Sequence, residues 1–511
     1  MSMILRLIAA IALIMVPAPA VAEWQAAETQ HFLVYSESPR AGIETLAQRL
    51  ESYDRLMRMA TNIPEDKAPV KVRIYEVAGI GLIQQALGLD NGGVAGFYDS
   101  NILGPYLVTP RETHVGDRYF TAELVLMHEY AHHFMLQYFP AIYPGWYVEG
   151  FAELIGSSKR LPDGRIGYGM PAKHRGNEIA AHWVPLQELL VKERVRDLDR
   201  YGQGWALTHF LTFDSKRSGQ LRRYLSELSA GKSFAEAARA FGDLEALNRE
   251  ARRYVTAGVF DYKPVKVEIA GPVIRSIRPL GAGEAALIPE VIAFRDEELS
   301  LIKQPAWRER ERKLRDANLK RIREKAPRYP GDPFALLLLA EAESAAGNLA
   351  QSDSAVDRLL ALQPGNVRAT VRKSLNLSIA AGRLTGEARA ARASEARRLA
   401  VRANRADPDD PLPLIAFFQS FRAGGQKPTP LAIEGLMQAV TALPRDNATR
   451  QLLVDQLAAD GRYSEAIAWL LPIANSPHDS PRRDSAREQM TSLRAALARQ
   501  SGPKGAPGSG S

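Results

Sequence analysis

The chain has 511 residues, too many for one hydrophobic core, so two or more domains are expected. With 46% apolar and 24% charged residues it reads as ordinary soluble protein. Cysteine is absent, which excludes disulfides and thiolate metal ligands, so any zinc must be held by nitrogen and oxygen. The formal charge of +8 is uneven: residues 311–511 carry 30 Lys plus Arg against 21 Asp plus Glu, and the rest of the chain carries 36 against 37. Many of these arginines lie in helical patterns mixed with acids ("ARAARASEARRLAVRAN"), without the aromatic interleaving of nucleic-acid binders. A solvated basic helix face is expected there, and no nucleic-acid partner.

The first 22 residues read as a signal peptide. Arg6 precedes the apolar run "LIAAIALIMV", then "PAPAVA" offers small residues at Ala20 and Ala22, so the mature chain is expected to start near Glu23. The run is short for a membrane span, which needs about 20 residues. No later segment approaches a span, and an exported, periplasmic or secreted, protein is expected. Export does not require disulfides where the core is large enough.

From residue 23 to about 261 the pattern predicts a mixed α+β domain. "HFLVYSE" and "VKVRIYEV" alternate as strands around the helical "RAGIETLAQRLESYDRLMRMAT", and "GGVAGFYDS" with "GPYLVTPRE" predicts a pair of short strands. Two helices follow, roughly 118–138 and 146–157, separated by Pro140, Pro144 and Gly145. "SSKRLPDGRIGYG" predicts a hairpin, residues 185–256 are helical, and 262–300 reads as a strand-bearing connector. With the polar motif and its supporting elements all before that connector, the first 300 residues are expected to fold without the rest.

Residues 301–498 read as helical repeats. Pro-Gly-Asp at 330, Pro-Gly-Asn at 364, Pro-Asp-Asp at 408 and Pro-Arg-Asp at 444 recur at intervals of 34, 44 and 36 residues. "LAEAESAAGNLAQSDSAVDRLLALQP" and "DQLAADGRYSEAIAWLLP" resemble tetratricopeptide repeats, with Gly347 and Gly461 at the turn between paired helices and Ala466 where they touch. The 44-residue interval implies an insertion near "GRLTGEARAA", and residues 499–511 are expected to be a disordered tail.

The chemistry concentrates in "LVLMHEYAHHF", residues 124–134. On a helix His128 and His132 project from one face, while Glu129 is turned about 100° away, off a shared metal but within reach of its water. H-E-x-x-H alone is a weak signal, since zinc with two histidines needs a third protein group and an open position. "PGWYVEGFAELIG" supplies Glu149, after 16 intervening residues from His132, on the next helix. Antiparallel packing would bring it to the metal.

H-E-x-x-H followed by W-x-x-E-G-F-A-E resembles the gluzincin metallopeptidases, particularly their bacterial peptidase-MA-like relatives. The resemblance implies a zincin-like domain, zinc held by His128, His132 and Glu149, and a supporting carboxylate, Glu153, behind a histidine ligand. It implies peptide hydrolysis in which Glu129 takes a proton from a zinc-activated water and returns it to the leaving amine. An oxyanion-stabilising Tyr or His from a later helix maps to Tyr201, with His209 in reserve. His133, off the ligand face, reads as structural. "AGFYDSN" lies where aminopeptidase relatives carry an amine-binding Glu in Gly-x-Met-Glu-Asn, but this chain has Asp99 and not that motif, which argues against aminopeptidase activity. The strand could still pair with a peptide backbone by edge addition. Two readings stand: an exported zinc peptidase acting on peptide or protein, with a protein partner on its repeats, or a repeat-based protein-binding scaffold whose peptidase-like domain is inactive or structural.

Overall fold

A computed structural model describes residues 23–65, 70–89, 94–101, 103–111, 119–139, 143–192, 198–269, 271–296, 299, 302–474 and 481–501. The expected signal peptide lies outside the described residues, as does the tail from 502.

In chain order the first elements are β1 (Gln25–Glu28), β2 (Phe32–Ser36), α1 (Arg40–Thr61), β3 (Val72–Val77), α2 (Ile80–Leu87), β4 (Phe97–Asn101) and β5 (Gly104–Pro110). Then come α3 (Ala122–Tyr138), α4 (Gly145–Gly156), a β6 (Lys159–Arg160) and β7 (Ile166–Tyr168) hairpin, and six helices: α5 (Gly176–Ala181), α6 (Leu186–Leu189), α7 (Leu198–Phe213), α8 (Ser218–Ser229), α9 (Phe234–Ala237) and α10 (Leu244–Ala257). β8 (Lys263–Val265) pairs with β7, and β9 (Ser276–Pro279) pairs with β1. The result is a six-stranded mixed sheet in the order β4-β5-β3-β2-β1-β9, with β4 antiparallel at one edge.

Strand alternation explains how both faces are buried. Phe32, Val34, Val72, Ile74 and Leu107 point to the side covered by α1, α3 and α4, where Leu50, Met127, Phe134 and Ile155 complete one core. Tyr35, Tyr75, Val77, Tyr106 and Val108 point to the other side. β1 and α2 are not evident in the sequence: β1 has only two buried alanines at its centre, and α2 is a short run of eight residues.

The second face is covered by residues from far along the chain. α11 (Ala282–Ile292), α12 (Pro305–Lys325) and α13 (Pro333–Ala345) send Leu287, Ile288, Leu319, Ile322, Leu338 and Ala342 into the core that holds Tyr35 and Tyr75. The segment expected to be a connector therefore contributes a sheet strand and a packed helix. The boundary placed near residue 300 runs through a shared core.

The remaining helices are α14 (Leu349–Leu362), α15 (Val367–Gly382), α16 (Gly386–Ala406), α17 (Leu412–Ala423), α18 (Pro430–Ala442), α19 (Asn447–Ala459), α20 (Tyr463–Ala474) and α21 (Pro481–Ser501). They stack as pairs: Gly347 and Gly461 take left-handed φ of 83° and 72° between α13 and α14 and between α19 and α20, and Ala466 is fully buried. Asp332, Asn366 and Asp446 cap α13, α15 and α19 through their side chains, which is why the Pro-x-Asp/Asn signals mark helix starts. The long interval is taken up by the 21-residue α16. α21 reaches Ser501, so residues 499–501, expected to be tail, are helical. Among the described residues no helix is long and apolar enough to cross a membrane.

A chain ending at residue 300 would expose the face now covered by α12 and α13. It is expected to lack a cooperative unfolding transition and to bind a hydrophobic dye. A sharp transition with native near-ultraviolet circular dichroism in that fragment would show that the sheet holds without them.

Candidate metal centre

α3 begins at Ala122 because Thr121 caps it, its hydroxyl accepting from the Leu124 N–H at 3.2 Å. The helix therefore starts four residues later than its apolar pattern suggests. α4 packs back against α3 through Gly156, where a Cβ would stand 3.1 Å from the Leu124 carbonyl and 3.4 Å from His128 Cβ. On its other side α4 meets α7 through Gly150 and Gly204: a Cβ on Gly150 would lie 2.3 Å from the Gly204 carbonyl oxygen. Small residues thus hold α4 between two helices, with Glu149 and Glu153 facing α3.

The structure brings His128, His132 and Glu149 together. Nε2 of His128 lies 3.1 Å from Nε2 of His132 and 3.4 Å from Oε2 of Glu149, which is 3.6 Å from Nε2 of His132. One ligand atom from each lies within 4.8 Å of the others. Ligands about 2.0–2.1 Å from a tetrahedral zinc are roughly 3.3 Å apart, so this donor set fits that ion in both spacing and chemistry. Burial opposes a charge on His128, but the neighbouring Glu149 and Glu153 carboxylates raise its pKa to about 10.

Glu153 sits behind His128, with Oε1 3.4 Å from its Nδ1. It also takes Nε2 of His174 at 2.6 Å and the guanidinium of Arg175 at 2.7 Å. Burial works against its charge, yet the two histidines and Arg175 hold it well below the ordinary carboxylate range. His174 and Arg175 escape sequence reasoning because they come from a one-turn 3₁₀ segment, Lys173–Arg175, with no periodic pattern. Arg175 also stacks its guanidinium 4.5 Å from the centre of the Tyr201 ring, and that ring lies 6.1 Å from His128, nearly parallel to it. Tyr201 is thereby brought beside the ligands.

Glu129 is turned away from the ligand face, and its Oε2 accepts the Tyr98 N–H of β4 at 3.1 Å. Withdrawal from solvent pushes its carboxyl up to about 7, against the pull of the His128 and Arg445 charges. On the outer edge of β4 the next N–H in register, from Ser100, is taken by Asp99 Oδ1 at 2.9 Å. His133 lies off the ligand face and meets the Tyr98 hydroxyl at 3.0 Å; burial lowers its pKa to about 3. The reserve candidate His209 is not brought to the site. Both its ring nitrogens are engaged elsewhere, by the Gly169 carbonyl at 2.7 Å and the Tyr254 hydroxyl at 2.8 Å.

A second buried cluster, His31, Glu51 and Asp54, has metal-ligand spacing but is closed by its own hydrogen bonds. Glu51 takes the His31 N–H at 2.9 Å and its Nδ1 at 2.7 Å, while Asp54 takes Tyr130 Oη and Arg58 Nε, each at 2.6 Å. Its effect is to tie α1 to α3.

No family model matches the chain, and no curated protein matches it. Among solved structures it is similar to a thermophilic TPR protein, TTC0263 of Thermus thermophilus, at 21% identity over 36% of this chain and 91% of that one, with a TM-score of 0.31. It is also similar to a double mutant of MamA RS-1, at 18% identity over 40% of this chain and 97% of that one, with a TM-score of 0.23. Likeness at this level says nothing of what the chain does.

Because the atom facing Gly150 belongs to backbone, Gly150→Ala is expected to lower stability by about 1–3 kcal/mol, as overpacking does. Urea unfolding would measure it. An unchanged midpoint would mean that α4 and α7 can separate at no cost.

Proposed function

We propose that this protein is an exported zinc-dependent peptidase on a zincin-like framework, with its helical repeats serving a polypeptide substrate or partner. The observation that carries the reading is the triangle of His128, His132 and Glu149, sized for one tetrahedral ion, with Glu129 beside it and off the ligand face. The mixed sheet with an antiparallel edge strand alongside α3 also suits the resemblance.

A zinc ion held by those three groups would supply Lewis acidity, making a water acidic and polarising a peptide carbonyl. Glu129 serves as the general base and hands the proton to the leaving amine; the Tyr98 N–H fixes its carboxylate. Tyr201, held between His128 and Arg175, offers a hydroxyl donor for the oxyanion. Glu153 orients His128 through Nδ1 and is itself clamped by His174 and Arg175.

A second reading, a protein-binding scaffold without catalysis, is favoured by a 710 Å³ chamber walled largely by the helical repeats. One preparation separates the two. The mature protein is expected to bind about one zinc per chain by elemental analysis. His128→Ala or Glu149→Ala is expected to abolish that binding, and Arg175→Ala to weaken it about 10- to 100-fold, as loss of an outer-shell partner does. Full zinc occupancy in either ligand variant would overturn the ligand assignment.

Glu129→Gln is expected to keep zinc and peptide binding while cleavage of a mixed peptide library falls roughly 10²- to 10⁴-fold. Cleavage at the wild-type rate would remove Glu129 from the role of base. If neither protein cleaves while both bind peptide, the scaffold reading replaces the peptidase.

A further inference from the structure

The 710 Å³ chamber lies between the inner helices of the repeats and the β4 edge of the sheet. Its volume is in the range of ligand sites, roughly 300–1,000 Å³. Asp99 and Ser100 of β4 form one wall; residues 294–296, Arg315 of α12, α13, α15, α17, the start of α19 and Arg482 of α21 form the others. The repeats are fastened to the sheet domain at this place. Gln137 of α3 donates to the Thr441 carbonyl at 2.8 Å, and Arg445, just ahead of α19, lies 3.7 Å from Asp99 and over the Tyr98 ring.

Arginine dominates the walls: Arg295, Arg315, Arg372, Arg445 and Arg482 all line the chamber. The lining carboxylates are Asp99, Asp296, Glu341 and Asp446. Three of these are already committed: Asp99 accepts the Ser100 N–H at 2.9 Å beside Arg445, Glu341 pairs with Arg372, and Asp446 accepts the Thr449 N–H at 3.0 Å in the first turn of α19. Among the described residues, Nε of Arg295, Arg315 and Arg372 and the Ser100 hydroxyl are buried with no hydrogen-bond partner. Arg372 is only 8% exposed. The guanidiniums are themselves partly engaged: Arg295 donates to the Ala86 carbonyl at 3.0 Å, Arg315 to the Ala345 carbonyl at 3.1 Å and Arg372 to the Ser344 hydroxyl at 3.0 Å. Five guanidiniums against four carboxylates leave the lining one positive charge in excess, which a guest rich in acceptors complements.

We propose that the chamber takes an acidic stretch of polypeptide, whose carboxylates meet these arginines while the same chain runs along the β4 edge past Glu129. The proposal rests on the peptidase reading for the direction of that chain, not for the chamber itself. The outward N–H groups of Tyr98 and Ser100 are taken by Glu129 and Asp99, so the guest is held through its side chains rather than as an added strand. Asp99 is one residue from Tyr98, whose N–H meets Glu129, so acidic residues close to the cleaved bond would be the ones read.

The test uses the full-length Glu129→Gln protein and three labelled peptides of equal length: one rich in Asp and Glu, its Asn and Gln counterpart, and one rich in Lys. Fluorescence anisotropy gives each affinity, with and without added zinc. The acidic peptide is expected to bind about tenfold or more tighter than its amide counterpart, and the preference is expected to shrink with salt. Arg445→Gln and Arg315→Gln, each checked by circular dichroism, are expected to cut that ratio several-fold; a purely structural role would change stability and leave the ratio alone. Equal binding of the acidic and amide peptides, or an unchanged ratio in both variants, overturns the proposal. So does an oligonucleotide that binds as tightly as the acidic peptide. If the preference is present but wild-type protein cleaves no peptide, the chamber stands and the peptidase reading falls. If peptides are cleaved with no acidic preference, the reverse holds.

Discussion

The close approach of α4 to α3 and α7 is the constraint on which the candidate metal centre depends. Histidines four residues apart on α3 would be a helix face like many others if Glu149 stood one helix diameter further off. Gly156 removes that distance on one side and Gly150, with Gly204, on the other. The same packing sets Tyr201 beside His128, because α7 can come no nearer to α4 than its glycine allows and no side chain holds it away. Overpacking would therefore reach the ligands directly at Gly156, where a Cβ would meet His128, and indirectly at Gly150, through the position of α7.

Charge makes the second demand. Glu129, Glu149 and Glu153 are carboxylates drawn together inside the protein, where an uncompensated charge is costly. Glu153 is compensated by His128, His174 and Arg175, all from the protein itself. Glu149 faces His128 and His132 at 3.4 and 3.6 Å, a spacing that suits a shared cation better than direct hydrogen bonds. The contrast with the His31, Glu51 and Asp54 cluster is instructive, since there every contact closes to hydrogen-bond length except the 3.6 Å pair of His31 and Asp54. Two groups of similar residues thus differ in how closely their members meet.

The parts of this arrangement that were legible in the sequence are those fixed by local rules. His128, His132 and Glu129 follow from helical spacing, and Glu149 from a short Pro-Gly connection that forces an antiparallel return. Helix starts in the repeats follow from Asp332, Asn366 and Asp446, whose side chains cap the helix beside them. What stayed hidden depends on contacts made over long separations. Arg175 and His174 carry no periodic signal, β1 is too short to alternate visibly, and Arg445 acts on Asp99 across some 350 residues. The shared core of Tyr75 and Leu338 could not be seen either, since an apolar helix face says nothing of which surface it covers.

The position of β1 between β2 and β9 has a consequence for how the molecule is made. Residues 25–28 emerge among the first of the described chain, yet one of their two strand partners, residues 276–279, is separated from them by nearly 250 residues. Every ligand of the candidate site has been synthesised long before that partner exists, and α12 and α13 follow later still. During synthesis the sheet therefore waits with an open edge and an uncovered apolar face, a state prone to sticking to other chains. Pairing over such a separation is intrinsically slow, so escape from that state is a matter of folding rate as much as of final stability.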